Sequence, residues 1–191
     1  MATVAAKQKS TSYTRDGLDW YVEPRWCDDL FFTVEKPPGP IWDPASGDGN
    51  IPSAAHDAGH RVFATDKVYR VLGEIRESWL DFLKDDIVHI ADNAGSIVTN
   101  PPYRFASDFV VRARQIVPYV AVLVRLDFLA SQRRKQLVSE AARVWVMSKR
   151  PSMPPGQHII DGGKVGSGQH DYCWIVWDQT HSGQTQIGWL S

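Results

Sequence analysis

The sequence predicts an α/β fold: a mostly parallel, twisted sheet with helices on both faces and an antiparallel hairpin at its C-terminal end. Three observations carry that expectation. Unbroken apolar runs such as VAVLV at 120–124 suit strands covered on both faces, as in parallel sheets. Strand-like runs alternate with helical segments, the pattern of crossover connections. The last stretch, DYCWIVWDQTHSGQTQIGWL at 171–190, instead sets two strand-like runs around Ser182 and Gly183 with no helix between them.

The elements follow in order. The opening MATVAAKQKSTS is small and polar and reads as part of a loose tail over 1–14, ahead of a single domain at 15–191. Strands are expected at 40–43 (PIWD), 61–66 (RVFATD), 96–99 (SIVT), 119–125 (YVAVLVR), 143–148 (RVWVMS) and 172–177 (YCWIVW), where β-branched and aromatic residues gather. Helices are expected around 51–58, 69–78, 106–116 and 132–141. The segment 149–170 holds three prolines and five glycines and reads as a long loop, a kind that is usually functional or disordered.

Composition bounds the function. With 191 residues the chain is long enough for one good core and too short for two ordinary domains. Its 43% hydrophobic and 23% charged residues are those of a soluble globular protein. No apolar run approaches the roughly 18 residues of a membrane span, and no signal peptide opens the chain, so a cytoplasmic protein is expected. Cys27 and Cys173 stand in no metal or CxxC spacing and read as reduced thiols. The six histidines (56, 60, 89, 158, 170 and 181) show no HxxxH or HxH spacing, so no metal site is expected. Residues 1–100 carry ten Lys/Arg against sixteen Asp/Glu, and 101–191 carry eleven against six. Either the basic second half docks a polyanion or these are scattered solvated charges.

In such a sheet, ligands bind at the carboxyl ends of the strands, near the point where strand order reverses. The first strand runs into IWDPASGDGN (41–50). Gly47 and Gly49 allow a tight turn and a close approach of backbone to ligand. A third glycine of the dinucleotide fingerprint is absent, with Pro52 nearby; an ordinary turn also explains the pair. Asp66, seventeen residues past Gly49, suits either the two hydroxyls of a ribose or a helix cap before Lys67.

The third strand ends in SIVTNPPYRF (96–105). Neither proline can donate to a ladder, and each restricts the residue before it. Hydride transfer has no use for Asn-Pro-Pro-Tyr, whereas methylation of a planar amino nitrogen does. The Asn100 side-chain oxygen and the Pro101 carbonyl can accept hydrogen bonds from an NH2 group, drawing its nitrogen toward tetrahedral geometry. Tyr103 offers a flat face for a base, and the prolines hold the carbonyl in place before reaction.

These stretches carry a resemblance. IWDPASGDGN resembles the S-adenosylmethionine loop of class I methyltransferases, and TNPPY resembles the catalytic motif of the amino-methyltransferases that modify adenine N6. WLDFL (79–83) is similar to the segment whose acid and aromatic grip the cofactor's adenine, here Asp81 and Phe82. VEPRW (22–26) resembles the region that covers the methionine end. LVRLDFLASQRRKQL and DYCWIVWD are similar to small phage or prophage adenine DNA methyltransferases, a likeness covering residues 20–178. The resemblance implies a Rossmann-like methyltransferase fold, S-adenosylmethionine as cofactor and DNA as partner, with the target adenine flipped out.

It further implies Asn100, Pro101, Pro102 and Tyr103 as the catalytic motif. Asp43, Pro44, Ala45, Gly47, Gly49, Asp66, Asp81 and Phe82 would hold the cofactor, and Trp26 is expected to line the same site. Arg104, Lys149 and Arg150 are candidate contacts to nucleic acid. Arg133, Arg134 and Lys135 form either a solvated helix face or a phosphate-binding patch. The family's site-specific members carry a target-recognition domain for which this chain has no room. rRNA amino groups and protein glutamine amides therefore stay open as acceptors, and so does a catalytically silent nucleic-acid binder.

Overall fold

The computed structural model describes Gly17, residues 19–68 and residues 77–191; the tail expected at 1–14 lies outside them. Helix α1 (Trp26–Val34) leads into β1 (Ile41–Asp43), α2 (Asn50–Asp57), β2 (Val62–Asp66) and β3 (Glu77–Trp79). Then come α3 (Val88–Ala91), β4 (Ser96–Thr99), α4 (Ala106–Ile116) and β5 (Tyr119–Arg125). The chain ends with α5 (Lys135–Ser139), β6 (Arg143–Met147), α6 (Gly156–Ile160), β7 (Tyr172–Asp178) and β8 (Gln186–Leu190). Among the described residues these strands form one sheet in the order β3-β2-β1-β4-β5-β7-β6-β8.

The period-2 alternation of β5 explains why both faces need helices. Val120, Val122 and Val124 pack on one face with Phe109, Val110 and Ala113 of α4. Tyr119, Ala121 and Leu123 pack on the other with Phe31 of α1 and Ile51 and Ala55 of α2. Helix α4 buries Ala106, Phe109, Val110 and Ala113, an i, i+3, i+4, i+7 stripe. It ends where Val117 turns extended, as a residue before proline prefers. Because α2 and α4 leave β1 and β4 toward opposite faces, the loops after these neighbouring strands diverge, and a crevice opens between them.

Three expectations are corrected. Of the helix expected at 69–78, residues 69–76 lie outside the described residues, and the rest belongs to β3, which pairs parallel to β2 through Ala64↔Glu77 and Asp66↔Trp79. A strand of three residues is too short to show a period. The antiparallel reversal at the C-terminal end is present, but β7 and β8 are not neighbours. β7 pairs antiparallel with both β5 and β6, and β8 lies parallel to β6 on its far side. The seven residues 179–185 between the two strands let the chain step across β6. The segment 149–170 is not loop throughout, since it contains α6, and α1 and α3 were not anticipated from sequence.

At the end of the sheet opposite the crevice, Glu35 ties β5 to β6 and, through Arg143, to β7. It is 5% exposed and accepts from Tyr119 Oη at 2.8 Å, Trp145 Nε1 at 2.7 Å and Arg143 Nε at 2.5 Å. Arg143 also donates to Asp178 at the end of β7, at 3.0 Å.

Candidate active site at the carboxyl ends of β1 and β4

A cavity of about 390 Å3 lies in the crevice. The loop after β1, the ends of β2 and β3, the segment after β4 and a strap that includes Gly17 and residues 19–23 all contribute to its lining. Of the residues expected from sequence, Pro44, Ala45, Gly47, Asp66, Asp81, Phe82, Asn100, Pro101, Pro102, Tyr103 and Arg104 come together there.

The β1 loop works as the glycines suggest. Gly47 has φ 53°, and a Cβ there would sit 2.9 Å from Trp20 Nε1. Gly49, with φ 80°, caps α2 in the left-handed conformation that glycine adopts without cost; it lies just outside the cavity lining. Asp43 is buried beneath the loop, where its Oδ1 accepts the Ala45 N–H at 3.1 Å, and burial pushes its carboxyl well above the usual range. Asp66 accepts the N–H groups of Gly47 at 2.9 Å and Val68 at 2.8 Å, fixing the β1 loop to the end of β2. Burial works to raise the Asp81 carboxyl, but Lys67 Nζ at 2.9 Å and the Leu83 N–H hold it below the usual range. Phe82 is 2% exposed and packs edge-on against Trp42.

Asn100 stands at the end of β4. Its Nδ2 donates to the Tyr21 carbonyl at 3.0 Å and to Glu23 Oε2 at 2.7 Å. A carbonyl can only accept, so the amide must turn its nitrogen to this side. Its Oδ1 then points away, buried and without a hydrogen-bond partner, in a position where an unmet acceptor calls for explanation. Glu23 is 7% exposed, and burial pushes its carboxyl up to about 7 against the lowering effect of the Asn100 bond. Pro102 introduces a 3-10 turn at Tyr103–Phe105. The Tyr103 ring stacks on Tyr21 at 5.3 Å and 13°, and its hydroxyl meets that of Tyr172 at 3.1 Å.

A second cavity of about 550 Å3 shares Asp19, Tyr21 and Tyr103 with the first. Its far wall comes from Pro151–Met153 and Ser167–His170, so the segment 149–170 borders this neighbouring cavity. This segment also clamps the strap. Val22 donates to the Pro154 carbonyl and Gly156 to the Trp20 carbonyl, each at 3.0 Å. A Cβ on Gly156 would lie 2.3 Å from the Trp20 ring. Arg104 holds the strap from the other side, its N–H reaching Asp19 Oδ2 at 2.9 Å.

Several expected residues lie elsewhere. Trp26 belongs to α1 and packs against the core; the tryptophan at the cavity is Trp20. Trp26 heads the helix that follows the strap, so its ring faces the helix-packing side. Lys149 sits over the Trp26 ring at 5.1 Å, and Arg150 pairs with Asp171 at 2.7 Å. Arg134 is pinned on the Phe128 ring at 4.4 Å and donates to the Phe128 carbonyl, whereas Arg133 and Lys135 are exposed. The strap residues Asp19, Trp20, Tyr21 and Glu23 were not singled out from sequence; VEPRW pointed to their neighbourhood and to the wrong aromatic. Burial raises both thiols, Cys173 to about 12, so neither is a ready nucleophile. Among the described residues no His, Cys, Asp and Glu group could hold a metal ion, and no helix is long and apolar enough to cross a membrane.

No family model matches this chain, and no curated protein does. Solved structures do. A protein of Pyrococcus horikoshii named for RNA methylation is 12% identical with a TM-score of 0.61, over 83% of this chain and 86% of that one. The precorrin-6y C5,15-methyltransferase of Geobacter metallireducens is 14% identical with a TM-score of 0.50, over 81% and 86%. The type IIG restriction endonuclease BpuSI is 13% identical with a TM-score of 0.52 over 84% of this chain, which spans 25% of the length of that enzyme. With the strand order and the crevice between β1 and β4, these likenesses identify the architecture as the Rossmann-like methyltransferase fold.

Proposed function

We propose that this chain transfers a methyl group from S-adenosylmethionine to an exocyclic amino nitrogen, with N6 of adenine in DNA as the acceptor that its motifs favour. One observation carries the reading: the Asn100 amide is held through Nδ2 so that its Oδ1 is buried and unmet, on a residue that lines the same cavity as Tyr103. Such an oxygen accepts an N–H of the acceptor amine and draws the nitrogen out of conjugation. Because the amide is already held through Nδ2, little reorganisation accompanies reaction.

The residues present suit the cofactor. A volume of about 390 Å3 falls within the range of small-molecule sites. Gly47 leaves room for close approach on one wall, Asp66 and Asp81 bring carboxylates for ribose and adenine, and Asn100 stands at the other end. S-adenosylmethionine would supply an electrophilic methyl group on a cationic sulfur. A base entering through the second cavity would meet the ring of Tyr103, which lines both spaces. In a duplex that base must first leave the stack. Arg104, Arg133, Lys135, Lys149 and Arg150 would serve the phosphates, whereas Arg134 holds the turn at Phe128.

The test is chemical. DNA, RNA and protein from cells expressing the chain are digested and examined by mass spectrometry. N6-methyladenine in DNA supports the full reading; a methylated rRNA amino group or glutamine amide keeps the chemistry and replaces the acceptor; no methylated product overturns it. Asn100→Ala should lower kcat by about 10²–10³, as loss of a preorganised polar contact to the reacting group does, while cofactor affinity stays near that of the wild type. A variant turning over at wild-type rate would remove Asn100 from the chemistry.

A further inference from the structure

We propose that Glu23 is a positioning residue for methyl transfer: its carboxylate locks the Asn100 amide through Nδ2 and, as a buried anion, strengthens Oδ1 as acceptor for the amine. This rests on the reading of Asn100 given above. The geometry is specific. Glu23 Oε2 lies 2.7 Å from Asn100 Nδ2, both side chains line the same cavity, and the Glu23 carbonyl is itself fixed by Asn50 Nδ2 at 2.8 Å. Among the described residues no Lys, Arg or His forms an ion pair with Glu23.

A carboxylate without a cation is a costly thing to bury, so its place calls for a use. Methyl transfer gives it one. The acceptor nitrogen would commit its lone pair to the new bond with the methyl carbon as the carbon–sulfur bond breaks and its electron pair leaves on a neutral thioether. The nitrogen would then carry positive charge until it sheds a proton to water. Negative charge relayed through the Asn100 amide opposes that build-up where it forms. The groups around Glu23 are themselves acidic or neutral: Asp48 of the β1 loop, Asp43 at the end of β1, Cys27 and Asp28 of α1, and Tyr103 after β4. Burial and Asp48 raise the Glu23 carboxyl to about 7. The active, ionised form is therefore lost as the pH falls below neutrality, and the rate should rise with pH through that range.

The cofactor-free protein supplies a readout that needs no turnover. The side-chain NH2 resonances of Asn100, identified by their loss in Asn100→Ser, should shift with a midpoint near pH 7 in the wild type. That step should be absent in Glu23→Gln, which keeps the shape and an acceptor oxygen without the charge. On the acceptor that mass spectrometry identifies, Glu23→Gln should lose about tenfold in kcat at pH 8, or about 1.4 kcal/mol, with the KM for substrate within about twofold. It should also lose the rising limb, which Glu23→Asp should retain. An Asn100 amide that does not titrate in the wild type, or a Glu23→Gln protein with both full kcat and an unchanged limb, would overturn the proposal. A wild type that methylates nothing, while its Asn100 amide still titrates with Glu23, would instead support the coupling and overturn the reading of the site.

Discussion

Glu35→Ala removes one buried acceptor and strands three donors from two strands. The carboxylate receives Arg143 through Nε at 2.5 Å and Nη2 at 3.1 Å, Trp145 Nε1 at 2.7 Å and Tyr119 Oη at 2.8 Å. Breaking a buried pair by removing one partner costs about 3–5 kcal/mol, chiefly because the other charge is left uncompensated. Here Arg143 keeps Asp178 at 3.0 Å, which argues for the lower end. The Tyr119 hydroxyl, 3% exposed as a residue, loses its partner and adds about 1 kcal/mol or more. The expected loss is therefore about 4 kcal/mol, a large part of the stability of an ordinary domain. Urea unfolding followed by fluorescence of the eight tryptophans measures it, read as a lower midpoint at constant slope. Arg143→Met in the same background should cost less than it does alone, because the two side chains share one network. A loss below about 1 kcal/mol would show that Glu35 is solvated and that the three strands are held by packing alone.

Other outcomes follow from the site. Asp66→Ala should weaken S-adenosylmethionine by about 1.5–3 kcal/mol, the worth of hydrogen bonds to a charged group; unchanged binding by calorimetry would reduce Asp66 to a tie between the Gly47 and Val68 N–H groups. Glu23→Gln should be more stable than the wild type at pH 8. The folded carboxyl sits at about 7 against 4.5, so the folded wild type binds the extra proton and loses stability as the pH rises from about 4.5 through 7. The full difference is about 3 kcal/mol above neutrality and vanishes below pH 4.5; thermal melts that differ equally at pH 4 and 8 would refute this. Gly156→Ala should push on Trp20, 2.3 Å from the new Cβ, and cost about 1–3 kcal/mol by overpacking together with weaker cofactor binding. A wild-type melting temperature would mean the strap yields freely.

The sequence was most legible where local pattern and burial agree. VAVLV read as a doubly covered strand because both faces of β5 are buried, and 106–116 read as a helix because its stripe is regular. The crevice could be placed because Gly47 and Asn100 each follow an identifiable strand. The strap was not legible, since its meaning lies in contacts made far along the chain: Asn100 reaches Tyr21 and Glu23 across 79 and 77 residues. No local period marks such a pairing, and aromatic count alone does not separate Trp20 from Trp26. The Glu35 network has the same character, with partners 84 to 110 residues away. β7 and β8 read as a hairpin because the turn between them is visible locally, while the strand that comes between them lies earlier in the chain.

The pairing of β5 with β7 has a consequence for how the chain is made. All seven residues of β5 find their second neighbour in residues 172–178. During translation, β2 and β4 emerge beside partners already made or close behind them, and the three-residue β1 has β2 close behind it while it waits for β4. β5 must wait for about 50 further residues, leaving six core-facing side chains and an open edge. A strand held in that state is prone to pair with another chain. The protein is thus expected to reach its native state only after residues 172–178 have left the ribosome, and its yield in cells should depend on how well β5 is shielded in the interval.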